Sequence, residues 1–138
     1  MTRFVLDTSV ALAWCFEDET SAAADRILDL LTSSEAIVPA IWPVEVGNAL
    51  LVGERRQRIK PAETARSLEL LRSLNIHLDD AGPRLETASL VTLARSHRLS
   101  VYDAAYLSLA MREGLPLATL DRALAEAARR AGITLLAP

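Results

Sequence analysis

Short apolar runs alternate with longer amphipathic segments along this chain. The apolar runs predict buried strands over residues 3–7, 36–39, 75–79, 115–119 and 133–137. The segments between them have apolar residues at helical spacing, which predicts helices over 9–16, 19–31, 41–57, 60–74, 83–97, 100–110 and 121–132. Strands that alternate with helices in this way favour an α/β fold, with a parallel sheet and helices on both of its faces.

Residues with strong local preferences mark several helix ends. Thr8 or Ser9 is expected to cap the first helix, and Gly132 is expected to end the last one. Pro43 and Pro61 fit a helix only within its first turn, so each places a helix start close to it. No linker, repeat or low-complexity segment separates these elements, and residues 1–138 are therefore predicted to form a single domain.

The composition is that of a compact globular chain. Of the 138 residues, 51% are hydrophobic and 24% are charged, which argues against a disordered protein. No apolar run approaches the roughly 18–20 residues of a membrane helix, and the first residues do not form a secretory signal. Cys15 is the only cysteine, which excludes a disulfide framework. We expect a cytoplasmic protein that does not contact a membrane.

The net charge of −3 argues against a protein held to nucleic acid by bulk positive charge. Four carboxylates occupy positions where an acidic residue needs an explanation: Asp7, Glu45, Asp103 and Asp121. Asp7 ends the first predicted strand, and Asp121 follows the fourth. Asp103 stands near the start of the apolar segment "SVYDAAYLSLA", and Glu45 shares a helix face with Trp42.

Each carboxylate also has an ordinary structural interpretation. Asp7 and Asp121 could be helix N-caps, Asp103 could form a capping box with Ser100, and Glu45 could lie on the surface. Taken together, these interpretations are weaker, because strand ends and helix starts meet at one edge of an α/β sheet. Clustered carboxylates raise one another's pKa, and a divalent cation such as Mg²⁺ or Mn²⁺ would relieve their repulsion.

Four segments in this order resemble the motif blocks of PIN-domain ribonucleases, and in particular the VapC toxins of bacterial toxin–antitoxin pairs. The segments are "FVLDTSVALAW", "VPAIWPVEVGNAL", "SVYDAAYLSLA" and "LATLDRAL". The resemblance spans the chain and implies a three-layer α/β/α sandwich with a parallel sheet of about five strands. It also implies that the four carboxylates form the family's acidic, metal-binding and catalytic quartet. Ser9, Asn48 and Thr119 match the polar positions that accompany that quartet.

The activity implied by the resemblance is metal-dependent hydrolysis of RNA phosphodiester bonds. Mg²⁺ or Mn²⁺ would activate water and stabilise charge on the phosphate. A homodimer and a cognate VapB-like antitoxin are implied as well. The segment "ERRQRIK" carries Arg55, Arg56, Arg58 and Lys60, which could contact the RNA backbone or could simply be a solvated helix end.

Other function classes remain as alternatives. A phospho-acceptor receiver domain also has acidic residues at strand ends, but it would need a lysine near the last strand, and the only lysine is Lys60. A haloacid-type phosphatase would need an aspartate two residues after Asp7, where this chain has Ser9. A housekeeping PIN nuclease or an RNA-binding PIN domain without a toxin role also remains open.

Overall fold

The computed structural model of the chain describes residues 2–80 and 87–136. The strands are β1 (Arg3–Leu6), β2 (Glu35–Val38), β3 (Ile76–Leu78), β4 (Leu117–Ala118) and β5 (Leu135–Leu136). The helices are α1 (Thr8–Cys15), α2 (Ala22–Leu30), α3 (Trp42–Arg55), α4 (Pro61–Ser73), α5 (Thr87–His97), α6 (Val101–Glu113) and α7 (Arg122–Arg130), with a short 3₁₀ turn at Glu17–Glu19.

The strands form one parallel sheet in the order β3-β2-β1-β4-β5. The chain builds outwards from β1 to β3 and then crosses to β4 on the other side of β1. The strand order therefore reverses between β1 and β4, and ligands of open α/β sheets bind at the carboxyl ends of strands beside such a reversal. Asp7 directly follows β1 and Thr119 directly follows β4, so both lie at this point.

Helices cover the sheet in two groups. α1 packs against α2, α3 and α4, whereas α6 packs against α5 and α7 and lies on β1 and β4. The buried core joins both groups to the sheet, and its largest fully buried side chains include Phe4, Leu50, Tyr106 and Leu117. The predicted α/β/α sandwich with five parallel strands is confirmed.

Several helix ends differ from the predicted ones. α1 begins at Thr8, and its N-cap is Asp7, in extended conformation, instead of Thr8 or Ser9. The helix expected from residue 19 begins at Ala22, because the Ser21 hydroxyl caps it by accepting the Ala24 N–H, and residues 17–19 form the 3₁₀ turn instead. The predicted helix start at residue 83 lies outside the described residues.

At two positions the structure shows why the residue is a glycine. Gly132 has a φ of +76° just after α7, which confirms its predicted role as a helix terminator. Gly53 lies in α3 against the ring of Phe16, and a Cβ built on Gly53 would stand 2.6 Å from that ring. Only glycine allows α3 to approach Phe16 this closely.

Candidate active site

The carboxylate of Asp7 is buried at the junction of β1 and β4. Its backbone N–H donates to Ala118 in β4 at 2.9 Å, which fixes the residue at the end of the strand pair. The hydroxyls of Ser9 and Thr119 both donate to Asp7 Oδ2, at 2.6 and 2.8 Å. Each hydroxyl oxygen also accepts a hydrogen bond from a backbone N–H. The Leu120 N–H donates to Ser9 Oγ at 2.9 Å, and the Asp121 N–H donates to Thr119 Oγ1 at 3.0 Å. The single proton of each hydroxyl is therefore left to point at Asp7.

Glu45 lies in the first turn of α3 and is held by two other hydroxyls. The Tyr106 hydroxyl donates to Glu45 Oε1 at 2.6 Å, and Thr8 Oγ1 donates to the same oxygen at 3.4 Å. Thr8 and Tyr106 are also 2.7 Å apart, so the three side chains form a closed set. Sequence reasoning missed both hydroxyl residues, and the only local signal was that Tyr106 lies one helical turn after Asp103.

Asp103 and Asp121 lie at the starts of α6 and α7. Asp103 is in the first turn of α6, where Ser100 is the N-cap and its hydroxyl accepts the Asp103 N–H at 3.0 Å. Asp121 is the N-cap of α7, and its Oδ1 accepts the Leu124 N–H at 3.0 Å. The capping interpretation of Asp121 is thus confirmed for one of its two oxygens.

The four carboxylates interact electrostatically. Burial, followed by the charges of Asp7, Asp121 and Glu45, raises the pKa of Asp103 to about 6. Burial also raises the pKa of Glu45, with a smaller contribution from the charge of Asp7. The pKa of Asp7 is raised by burial, although the Ser9 and Thr119 hydroxyls oppose this shift. Within residues 2–80 and 87–136, no lysine or arginine forms an ion pair with any of the four.

This oxygen-only donor set fits a hard divalent cation. Among the described residues, no three acidic, histidine or cysteine side chains are arranged closely enough to share one ion. Mg²⁺ usually keeps several waters and is bound through only one or two carboxylates, so it does not require three shared protein ligands. The hydrogen bonds described for Glu45 also converge on Oε1 and leave Oε2 for another ligand.

The remaining predicted site residues lie apart from this network. Asn48 is exposed on α3, and no hydrogen bond joins it to Glu45 in the part of the chain that is described. Arg58 is engaged elsewhere, because it pairs with Asp18 at 2.9 Å and with Glu19 at 2.7 Å, and it lies over the Phe16 ring. Arg58 is therefore not free to bind RNA without breaking these contacts.

The other cations of the same segment are exposed but distant from the carboxylates. Arg55 follows Glu45 by ten residues on α3, a separation of about 15 Å at 1.5 Å per residue. Arg55, Arg56 and Lys60 thus lie near the opposite end of α3 from Glu45. Their contact with RNA stays a prediction, and it requires a strand that runs along the full length of this helix.

A comparison with known protein families matches the PIN domain over residues 4–130. The chain belongs to the PIN-domain family. This PIN domain is 33% identical to Ribonuclease VapC3 of Pyrobaculum aerophilum, over 90% of the chain and 93% of that protein. The resemblance to VapC-type PIN domains is therefore confirmed, and it replaces the receiver-domain and phosphatase alternatives.

Solved structures show the same architecture. The crystal structure of PAE2754 from Pyrobaculum aerophilum superposes with a TM-score of 0.68 at 25% identity and covers 91% of this chain and 86% of its own. A VapBC2 structure from Rickettsia felis, bound to a DNA fragment from its promoter, gives a TM-score of 0.63 at 14% identity and 97% coverage of both chains. The second likeness bears on the fold alone. No helix in the described ranges is long and apolar enough to cross a membrane.

Proposed function

We propose that this PIN domain is a Mg²⁺- or Mn²⁺-dependent endoribonuclease and the toxin of a toxin–antitoxin pair. The observation that carries the proposal is the group of four carboxylates, Asp7, Glu45, Asp103 and Asp121, near the β1/β4 edge of the sheet. Burial and neighbouring negative charge raise the pKa of Asp7, Glu45 and Asp103, and within residues 2–80 and 87–136 no lysine or arginine forms an ion pair with the four. The similarity to Ribonuclease VapC3 supports RNA as the substrate.

In this proposal Asp7, Glu45 and Asp103 bind the metal directly or through water, and Asp121 completes the set with the oxygen that does not cap α7. The bound metal supplies an activated water and stabilises negative charge on the phosphate. Ser9 and Thr119 hold the Asp7 carboxylate in one orientation, and Tyr106 with Thr8 does the same for Glu45. Such orienting contacts maintain ligand geometry and reduce the cost of reorganisation during binding.

Hydrolysis adds water to the phosphorus and releases the 3′ oxygen of the preceding nucleotide, so the expected products carry a 5′-phosphate and a 3′-hydroxyl. No histidine is required as a general base. The carboxylates of Asp7, Glu45 and Asp103 bind metal in their deprotonated state. The positive charge of the metal favours that state.

Incubation with end-labelled tRNA, rRNA and mRNA fragments tests this function. Cleavage is expected with Mg²⁺ or Mn²⁺ and is expected to stop with chelator. Asp103→Asn keeps the side chain's shape but weakens a metal ligand, so cleavage should fall at least a hundredfold while circular dichroism shows an intact fold. Cleavage by Asp103→Asn near the wild-type rate would remove Asp103 from the site.

We further propose that a VapB-like antitoxin inhibits the enzyme by inserting an arginine or lysine towards Asp7, Glu45 and Asp103. An arginine suits this site because its planar guanidinium binds a carboxylate through two hydrogen bonds. The inserted cation and the metal would compete for the same oxygens. Raising Mg²⁺ should therefore weaken inhibition, and replacing the partner's basic residue by alanine should restore cleavage without abolishing binding. Inhibition that is insensitive to both changes would place the partner elsewhere.

We also propose that residues 1–138 form a single domain and that two copies form a homodimer. α2 and α4 each leave an apolar side chain exposed, Leu30 at 37% and Leu68 at 44%, on helices that pack only one face inwards. Burial of these side chains between two copies would remove apolar surface from water.

A further inference from the structure

An open cleft adjoins the carboxylates on the α3 side. It has a volume of about 440 Å³ and is lined by Ile41, Val44, Glu45, Asn48, Ala49 and Tyr102. Two of these residues connect the cleft to the proposed active site, because Glu45 belongs to the carboxylate group and Tyr102 directly precedes Asp103. A molecule in the cleft would thus contact Glu45, one of the four carboxylates proposed to carry out hydrolysis.

The two tyrosines of α6 have different surroundings. Tyr106 is fully buried and uses its hydroxyl to hold Glu45, whereas Tyr102 is 59% exposed and lines the cleft. Val44, which lines the same cleft from α3, is 65% exposed. An exposed aromatic ring and an aliphatic side chain that line one cleft can take up a flat, apolar group.

The chemistry of the cleft favours a nucleobase over a phosphate. Among the described residues that line it, Glu45 is the only charged one, and it is an acid, which disfavours an anion. Asn48 presents an amide with both donor and acceptor atoms, and within the described residues it makes no hydrogen bond to another side chain. Single-stranded RNA is recognised by bases that stack on aromatic side chains and form hydrogen bonds at their edges.

We infer that this cleft binds one unpaired base of the RNA, next to the scissile phosphate. This inference rests on the proposed ribonuclease function. Tyr102 stacks on the base, and Asn48 reads its edge. An asparagine amide pairs best with adenine, whose edge offers a matching donor and acceptor, so a purine with that pattern is the expected base. The phosphate then lies at the carboxylates, and the base lies at Tyr102. Tyr102 and Asn48 select the base, and the carboxylates carry out hydrolysis.

The test uses single-stranded RNA oligonucleotides that differ only in the bases flanking the cleavage site. The wild type should prefer one base at one position. Tyr102→Ala should raise KM at least fivefold for the preferred RNA with little change in kcat, because a lost base stack weakens binding by about that much or more. Tyr102→Phe should restore KM, and Asn48→Ala should flatten the base preference. Met111→Ala, at another exposed position near the other end of α6, is the control and should behave like the wild type.

Binding measured by fluorescence anisotropy in chelator separates this inference from the proposed function. If the wild type cleaves RNA but Tyr102→Ala and Asn48→Ala leave KM, affinity and base preference unchanged, the base site is wrong and the nuclease stands. If the wild type does not cleave RNA but binds it in a Tyr102-dependent way, the base site stands and the nuclease is wrong. If Tyr102→Ala only turns a dimer into a monomer by light scattering, the cleft is a subunit contact and the inference is overturned.

Discussion

The carboxylate of Asp103 is half-buried and faces three others, so its ionisation opposes folding when no metal is bound. Its pKa of about 6 in the folded protein exceeds the ordinary value of 3.8. A raised pKa of an acid means that the folded state loses stability as the pH rises through about 6, and regains it as the pH falls towards the ordinary value. The charge on Asp103 therefore makes the metal-free protein less stable at pH 7.5 than it would be with this carboxyl protonated.

Removing this charge should stabilise the metal-free protein. In chelator at pH 7.5, Asp103→Asn is expected to melt about 3 °C above the wild type, which corresponds to about 1 kcal/mol after allowance for its partial exposure. The difference should shrink as the pH is lowered from 7.5 to 4, where the wild-type carboxyl is protonated. Thermal melts of both proteins across this pH range check the expectation, and a difference independent of pH would contradict it.

The buried hydroxyl of Tyr106 provides a second expectation at the residue scale. Tyr106→Phe removes the 2.6 Å hydrogen bond to Glu45. Urea denaturation should show a loss of about 1–2 kcal/mol, because a hydrogen bond to a charged group disappears. Cleavage should fall roughly tenfold, since Glu45 is no longer held. Tyr102→Phe, which removes an exposed hydroxyl from the same helix, should keep its stability within about 0.5 kcal/mol. Equal stability of the two variants would show that the Tyr106 contact is dispensable.

At the scale of elements, α3 contains two glycines with opposite surroundings. A Cβ at Gly53 would meet the buried Phe16 ring at 2.6 Å, whereas a Cβ at Gly47 would have no atom within 4 Å. Gly47→Ala should stabilise the protein by roughly 0.5–1 kcal/mol, because alanine favours a helix. Gly53→Ala should destabilise it by about 1–3 kcal/mol, because the ring must move in a packed core. Chemical denaturation of both variants measures this, and a change of the same sign in both would refute the packing argument.

The elements also show what the sequence could predict. The strands and the acids that follow β1 and β4 were predictable, because alternation of apolar runs and helices is a local pattern and the carboxyl ends of parallel strands share an edge. The contacts of Glu45 were not, since Tyr106 lies 61 residues away and no local pattern links the two. The ion pairs of Arg58 were not predictable for the same reason, because its partners Asp18 and Glu19 lie 40 and 39 residues earlier in the chain.

At the scale of the whole molecule, the proposed homodimer can be tested directly. Light scattering at micromolar concentration should give about 30 kDa, twice the 15.0 kDa chain. Leu68→Arg places a charge on the proposed α4 face and should shift the mass towards the monomer. Leu51→Arg is the control, since Leu51 is 43% exposed on α3 and Leu68 is 44% exposed. A wild-type monomer would refute the dimer, and equal dissociation by both variants would refute this face.

The hydrogen bond between Thr119 and Asp7 joins residues that are 112 positions apart in the sequence. This separation matters while the chain is being synthesised. Ribosomes add roughly 5–20 residues per second, so Thr119 is made about 6–20 s after Asp7. Until β4 inserts beside β1, the Asp7 carboxylate has the Ser9 hydroxyl but lacks that of Thr119, and Asp121 is the last of the four carboxylates to be made. In the proposed mechanism, a nascent chain without Thr119 and Asp121 has an incomplete site, so an inhibitor translated at the same time would have these seconds to reach its target before activity begins.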